Sequence, residues 1–282
     1  MKEQLQKKVD FAIRLLQSAE KMAEKVGQPV EICYSGGKDS DVILELAKMA
    51  NIKYRAIYKN TTIDPPGTIK HALQRGAEMI RPKKNFRELL ELSGFPSRRL
   101  RFCCRYLKEY KVLDYAVVGV RREESIKRAE RYKEPEQCRV YSKTEKTRQY
   151  FPILEWTLDD VTEFLKERNV KCAPVYYDEE NVFHPERRLG CLCCPLKSRS
   201  QRIDDFRKYP NFVKIYLGGG NFYREHHKMW KNKKYFNNVY EWFVCYLFCD
   251  TFEEFRERFG ANLFNGGIDC KKFLEDYFNI EL

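Results

Sequence analysis

Residues 29–40, PVEICYSGGKDS, restrict the fold of this chain more than any other stretch. The apolar run Val30 to Tyr34 reads as a buried strand. It breaks into Ser35-Gly36-Gly37-Lys38-Asp39-Ser40, and Val42, Ile43, Leu46, Ala47 and Met49 follow at helical spacing. The order is strand, glycine turn, helix. Two adjacent glycines let backbone N–H groups turn inward at a helix N-terminus, where the dipole favours an anion. Ser35 and Ser40 add hydroxyl donors and Lys38 adds a positive charge. A plain turn capped by Asp39 or Ser40 would explain the glycines. It would leave Lys38 and Ser35 unexplained.

The spacing is not that of the Walker loop, which places four residues between its first glycine and its Gly-Lys pair. SGGKDS resembles instead the PP-loop of the ATP pyrophosphatase superfamily, whose members bind adenine nucleotides. Many of them cleave ATP between the α and β phosphates.

The rest of the first half repeats the strand–helix rhythm. Residues 3–26 form an amphipathic helix ended by Gly27 and Pro29. Tyr54 to Tyr58 is a second strand, running into Asn60-Thr61-Thr62-Ile63-Asp64-Pro65-Pro66-Gly67. Strand ends in open parallel sheets line the ligand crevice, so Thr61, Thr62 and Asp64 face a nucleotide or, alternatively, Asp64 only caps a helix from Pro65. Ala77 to Arg81 is a third strand, residues 86–92 a helix, and Asp114 to Val120 a further buried strand. Arg121 and Arg122 follow that strand, and paired guanidinium donors suit phosphate or sulfate oxygens. A solvated, salt-bridged helix start is the competing reading. Residues 127–149 are charge-rich without apolar periodicity and read as a mobile lid or loop. Thr157 and Asp160 make a loose capping box before Val161, Phe164 and Leu165. Alternating strands and helices imply an α/β fold with a doubly wound parallel sheet.

Five stretches together resemble the phosphoadenosine phosphosulfate (PAPS) reductase family: SGGKDS at 35–40, NTTIDPP at 60–66, GVRREES at 119–125, FPILEWTLDDV at 151–161 and RLGCLCCP at 188–195. They keep the family's order over residues 28–196. The resemblance implies an adenine nucleotide fold with five or more parallel strands. It assigns Ser35, Gly36, Gly37, Lys38, Asp39 and Ser40 to phosphate or sulfate, and takes Arg121 and Arg122 to the anionic end of the substrate. Lys38, Asp39 and Arg121 are the candidate catalytic residues, and Thr61 and Asp64 join the nucleotide set. ATP or a sulfonucleotide is the expected substrate, with Mg.

Eleven cysteines are many for a chain whose N-terminus has charges where a signal peptide needs an apolar stretch. No apolar run approaches a membrane span, so the expectation is a cytoplasmic protein with reduced thiols and no membrane partner. Cys103-Cys104 and Cys191-Leu192-Cys193-Cys194 supply thiolates for a zinc site or an iron–sulfur cluster. On the resemblance to the cluster-bearing sulfonucleotide reductases, the ligands are Cys103, Cys104, Cys191 and Cys194 of a [4Fe–4S] cluster. Cys193 is extra, replacing Cys194 or standing apart. Those reductases also carry a nucleophilic cysteine in a C-terminal Glu-Cys-Gly-Leu-His motif. This chain lacks the motif, and Cys270 in GGIDCKKF is the nearest candidate.

Lys and Arg exceed Asp and Glu by 53 to 41, which favours anionic partners. Between Lys197 and Phe236 eleven Lys or Arg face three acids, interleaved with Phe206, Tyr209, Phe212, Tyr216, Phe222, Tyr223, Trp230, Tyr235 and Phe236. Cations and rings suit nucleic acid; a helical core with solvated lysines is the equal alternative. Leu217-Gly218-Gly219-Gly220-Asn221 reads as a hinge. The expected division is a nucleotide domain at 1–196 and a basic, aromatic helical region at 197–282. Three functions stand: sulfur transfer with adenylation of an acceptor, sulfite production by a reductase, and a silent binding module. The first needs a sulfur-donor protein and the second a thioredoxin-like reductant. The missing motif weighs against the reductase, and the intact loop against the silent module.

Overall fold

The computed structural model describes residues 2–227, 235–260 and 266–282. Strands β1 (Val30–Tyr34), β2 (Tyr54–Lys59), β3 (Glu78–Ile80), β4 (Tyr115–Val117), β5 (Glu136–Val140) and β6 (Lys146–Tyr150) form one sheet in the order β3-β2-β1-β4-β6-β5. Neighbours are parallel except β5, which runs antiparallel to β6. In β1, Ile32 lies opposite Ala56 of β2 on one side and Val117 of β4 on the other. The chain leaves β1 toward β2 and returns on its other side as β4. That reversal opens a crevice beyond the carboxyl ends of β1 and β4.

Helices α1 (Glu3–Glu24), α2 (Lys38–Met49), α3 (Thr68–Gln74), α4 (Phe86–Ser93), α5 (Phe102–Leu107), α6 (Ile126–Arg131) and α7 (Leu158–Glu167) precede, separate and follow the strands, with α4 and α5 both between β3 and β4 and no helix between β5 and β6. Helices α8 (Arg199–Lys208), α9 (Asn211–His226), α10 (Val239–Phe248), α11 (Phe252–Phe259) and α12 (Cys270–Phe278) follow. The chain divides into two compact units. The first holds residues 1–60, 64–82 and 107–190; the second holds 61–63, 83–106 and 191–282.

In the first unit Leu5, Val9, Ala12 and Leu16 of α1 are buried with Val42, Leu46 and Ala47 of α2 and Val161, Phe164 and Leu165 of α7. This apolar cluster takes in Val30, Ile32, Val117 and Tyr150 from the sheet. The capping box of α7 forms fully: Thr157 accepts from the Asp160 N–H and Asp160 from the Thr157 N–H. An aspartate therefore fills the place usually taken by Glu or Gln.

Three sequence expectations are corrected here. Residues 127–149 are not a loop, because they build α6 and most of the β5–β6 hairpin. The buried strand is shorter than 114–120: the Val120 N–H bonds back to the Val118 carbonyl, so the chain turns after Val117. Helix α3 starts at Thr68 rather than Pro65, after Gly67 with φ of +84°.

The second unit is helical. The glycine run at 218–220 lies inside α9, so it is not a hinge. A Cβ on Gly219 would meet Leu90 Cβ of α4 at 2.5 Å, and one on Gly220 would meet the Phe95 ring at 2.6 Å. The glycines let α9 approach α4 more closely than side chains allow. Phe206 and Tyr216 are fully buried, and Phe206 packs edge-on against both Tyr216 and Phe243. Phe236 is buried as well, whereas Phe222 and Tyr235 are exposed. Among the eight described aromatics of 197–236, Phe206, Tyr216 and Phe236 are thus core. Trp230, Lys231, Lys233 and Lys234 lie outside the described residues. Among the described residues no helix is long and apolar enough to cross a membrane.

Candidate functional site

The Ser35–Ser40 loop leaves β1 and enters α2 as the sequence requires. Gly36 has φ of +77°, a conformation a side chain resists, and a Cβ there would meet Thr68 Cγ2 at 3.0 Å. Ser40 Oγ donates to the Gly37 carbonyl at 2.7 Å, and Ser35 Oγ donates to Ser40 Oγ at 3.3 Å. The Lys38 N–H donates to the Tyr176 hydroxyl at 3.2 Å. Lys38 is buried, with Nζ 3.3 Å from Asp39 Oδ2 and 5.5 Å from the centre of the Tyr176 ring. Burial pushes the Tyr176 phenol up, so it stays neutral.

Behind the loop stands a buried polar cluster that the sequence reading did not find. Asp41 is fully buried and accepts from the Tyr34 hydroxyl at 2.6 Å and from Arg75 Nε at 3.2 Å. His71 Nε2 lies 3.1 Å from Asp41 Oδ2, and the Asp41 N–H bonds the Gly37 carbonyl at 3.0 Å. The cluster ties β1, α2 and α3 together beneath the glycine turn.

A cavity of about 510 Å³ opens in front of the loop. Its lining includes Ser35, Gly37, Lys38, Asp39 and Ser40, the ends of β1 and β2, and Val118 and Gly119 after β4. A Cβ on Gly119 would meet the Asp39 carbonyl oxygen at 3.1 Å, so glycine lets the chain after β4 pass the loop. Arg128, Arg131 and Arg188 also line it. Arg131 and Arg188 have no carboxylate partner among the described residues, while Arg128 pairs with Glu124. Burial first, with the like charges of Arg188 and Arg121 behind it, holds Arg128 below the ordinary arginine value despite Tyr132 and Asp39. Seven Lys or Arg line the cavity against four Asp or Glu, so the positive charge is in excess. Arg128 and Arg131 were missed because they sit in the charge-rich segment read as a loop. Arg188 stood in view in the RLGCLCCP stretch.

The two arginines expected to reach the substrate are engaged elsewhere in the first unit. Arg121 is buried; its Nε donates to Asp39 Oδ1 at 2.7 Å and its Nη1 to Glu123 Oε2 at 2.7 Å. Arg122 Nε donates to the Tyr132 carbonyl at 2.8 Å, with Lys133 and Glu155 as further partners. Neither is among the residues that line the cavity. Asp64 does line it and accepts from the Tyr58 hydroxyl at 2.6 Å. Thr61 belongs to the second unit, where it is buried and receives the Cys191 thiol at 3.7 Å.

The cysteines of the second unit come from α5 and the turn at 191–194. The Cys104 thiol, burial and the nearby Cys191 together push the Cys103 thiol up. Cys193 is buried with φ of +55°; its N–H donates to Asp205 Oδ2 at 2.7 Å and its carbonyl accepts from the Tyr216 hydroxyl at 3.2 Å. Cys103, Cys104, Cys191 and Cys194 form no disulfides. As placed, no three His, Cys, Asp or Glu side chains among the described residues are set to hold a metal ion. The donor set itself is all thiol, which suits zinc or an iron–sulfur cluster. Cys270 opens α12, buried, and burial pushes its thiol up to about 12, followed by Glu241 and Asp269.

A glycine loop at the switch point of a mostly parallel sheet, facing a cation-lined cavity, defines a nucleotide-binding α/β protein. The phosphoadenosine phosphosulfate reductase domain family matches residues 29–197, and the chain belongs to that family. An uncharacterized protein of Methanocaldococcus jannaschii is 28% identical over 223 residues, 74% of this chain and 52% of that protein. A second from the same organism is 27% identical over 240 residues, 75% of this chain and 48% of its own length. The chain spans about half the length of the curated relatives it matches. Among solved structures, a phosphoadenylyl-sulfate (PAPS) reductase from Candida auris in a phosphate complex aligns with a TM-score of 0.44 at 14% identity, covering 62% of this chain and 87% of that one. A Candida glabrata FMN adenylyltransferase with FAD and inorganic pyrophosphate aligns with a TM-score of 0.43 at 13% identity, covering 61% and 60%.

Proposed function

We propose that this chain binds ATP or a sulfonucleotide at the Ser35–Ser40 loop and takes part in sulfur transfer, adenylating an acceptor with release of pyrophosphate. One observation carries the reading: Lys38, Arg131 and Arg188 line the cavity that the loop opens into, and neither arginine has a carboxylate partner among the described residues. A polyphosphate with Mg fits that excess of positive charge. The loop amides and Ser35 and Ser40 hydroxyls orient the phosphates, Lys38 offsets charge on the oxygens, and Arg121 acts through Asp39 as a positioning residue.

Cys103, Cys104, Cys191 and Cys194 would hold the [4Fe–4S] cluster of the family resemblance, or zinc. A cluster supplies electron transfer or a site for sulfide, and zinc supplies structure. The reductase reading, with a thioredoxin-like reductant, needs an attacking thiolate. Cys270 is disfavoured for that role because burial keeps it protonated at neutral pH.

Sulfite release from PAPS and pyrophosphate release from ATP, measured in one anaerobic preparation, separate the two. The proposal expects pyrophosphate released in step with an adenylated acceptor. Robust sulfite production lost on Cys270→Ser would replace it with the reductase.

A further inference from the structure

The charge of the second unit is segregated. Residues 83–106 carry seven Lys or Arg against two acids, and residues 235–282 carry four against nine. The basic part has an exposed centre in SRRLRFCCRY at 97–106. Arg98, Arg99, Arg101 and Arg105 are all exposed, and none has a carboxylate partner among the described residues. Leu100 and Tyr106 are exposed between and beside them, at 56% and 55% of their surface. Arg98 Nη2 reaches the Lys197 carbonyl at 3.4 Å, which joins this stretch to the start of the basic 197–208 segment. Four guanidiniums left without carboxylate partners repel one another, and a polyanion relieves that repulsion.

We propose that Arg98, Arg99, Arg101 and Arg105, with Tyr106, form a docking surface for a single-stranded nucleic acid beside the Cys103–Cys104 helix. Guanidinium forks match phosphate oxygens two donors at a time, which a set of lysines does not. The solvent-exposed ring of Tyr106, next to Arg105 in the chain, offers a stacking platform for a base. The surface lies on residues of the second unit alone and needs neither the nucleotide site nor a metal for its affinity. Its role as the place where an acceptor docks rests on the adenylation reading above.

The test is fluorescence anisotropy of a labelled single-stranded oligonucleotide against the full chain, without ATP, over a series of salt concentrations. The wild type binds at low salt and weakens steeply as salt rises. Replacing all four arginines by Gln makes the slope of log K against log salt shallower by about 0.7 for each phosphate that an arginine no longer neutralises. Tyr106→Ala keeps the slope and lowers affinity about tenfold at every salt concentration. Arg99→Gln with Arg105→Gln is the milder variant should the fourfold change impair folding. No oligonucleotide binding at low salt overturns the proposal, as does retention of an acidic protein in its place. A folded arginine variant with the wild-type slope overturns it too. Calorimetric binding of ATP with Mg to the same variants, measured separately, tells failure of this surface from failure of the nucleotide reading.

Discussion

Arg121 Nε donates to Asp39 Oδ1 at 2.7 Å, fastening the chain after β4 to the glycine loop after β1. Both strand ends border the crevice of the sheet, so this ion pair fixes the spacing of its two lips. Arg121 is 4% exposed and Asp39 17%, so neither charge is fully hydrated when the other is removed. Arg121→Gln is expected to lower stability by about 3 kcal/mol and to weaken ATP binding. Thermal unfolding and calorimetry read the two effects. A double-mutant cycle with Asp39→Asn checks that the loss belongs to the pair: the two changes together should cost much less than their sum.

The glycine run of α9 gives a prediction of opposite sign for its two readings. Gly219→Ala would push a methyl group into Leu90, where the backbone-built Cβ lies 2.5 Å from Leu90 Cβ. Overpacking of this kind costs about 1–3 kcal/mol. A flexible hinge would instead gain about 0.4–1 kcal/mol from alanine. The direction of the melting-temperature shift decides between them.

Asp160 gives a pH-dependent expectation. Burial raises its carboxyl, but hydrogen bonds from Lys8 and from the Thr157 backbone and hydroxyl outweigh this, so the folded value lies below the usual 3.8. A carboxylate depressed on folding stabilises the fold above its unfolded value and loses that contribution as pH falls through the folded one. Asp160→Asn should therefore cost about 1 kcal/mol at neutral pH, with the difference from wild type vanishing in acid below the depressed value. Denaturant melts at neutral and acid pH measure this.

For the thiols, Cys104→Ser and Cys191→Ser are each expected to lower the iron or zinc content of anaerobically purified protein. Metal analysis with sulfide determination checks this. Full occupancy in both variants would remove the four-thiolate site.

What the sequence shows clearly is what local chemistry determines. The Val30–Tyr34 strand, the glycine loop and the first two helices follow from apolar spacing and from residues that tolerate positive φ. The β5–β6 hairpin does not show itself, because β5 is an edge strand with no fully buried residue. In β6 the buried positions Thr147 and Tyr150 break alternation, and Thr147 satisfies its hydroxyl on the Leu113 carbonyl, far away in sequence. Arg128 and Arg131 were hidden with that segment. The Gly218–Gly220 run looks like a hinge because its purpose, close approach to Leu90 and Phe95, depends on residues more than a hundred positions away. Arg121 was found from its place after a strand, but its engagement with Asp39 is tertiary.

The central claim is that the Ser35–Ser40 loop and the cations facing it form a nucleotide phosphate site. Calorimetric titration of ATP with Mg into wild type, Lys38→Ala and Arg188→Gln tests it most directly. Each substitution removes a charged hydrogen bond to phosphate, so each should weaken binding by about 1.5–3 kcal/mol while the melting temperature of the free protein stays near that of wild type. ATP affinity unchanged in both variants would contradict the assignment of this cavity to the nucleotide.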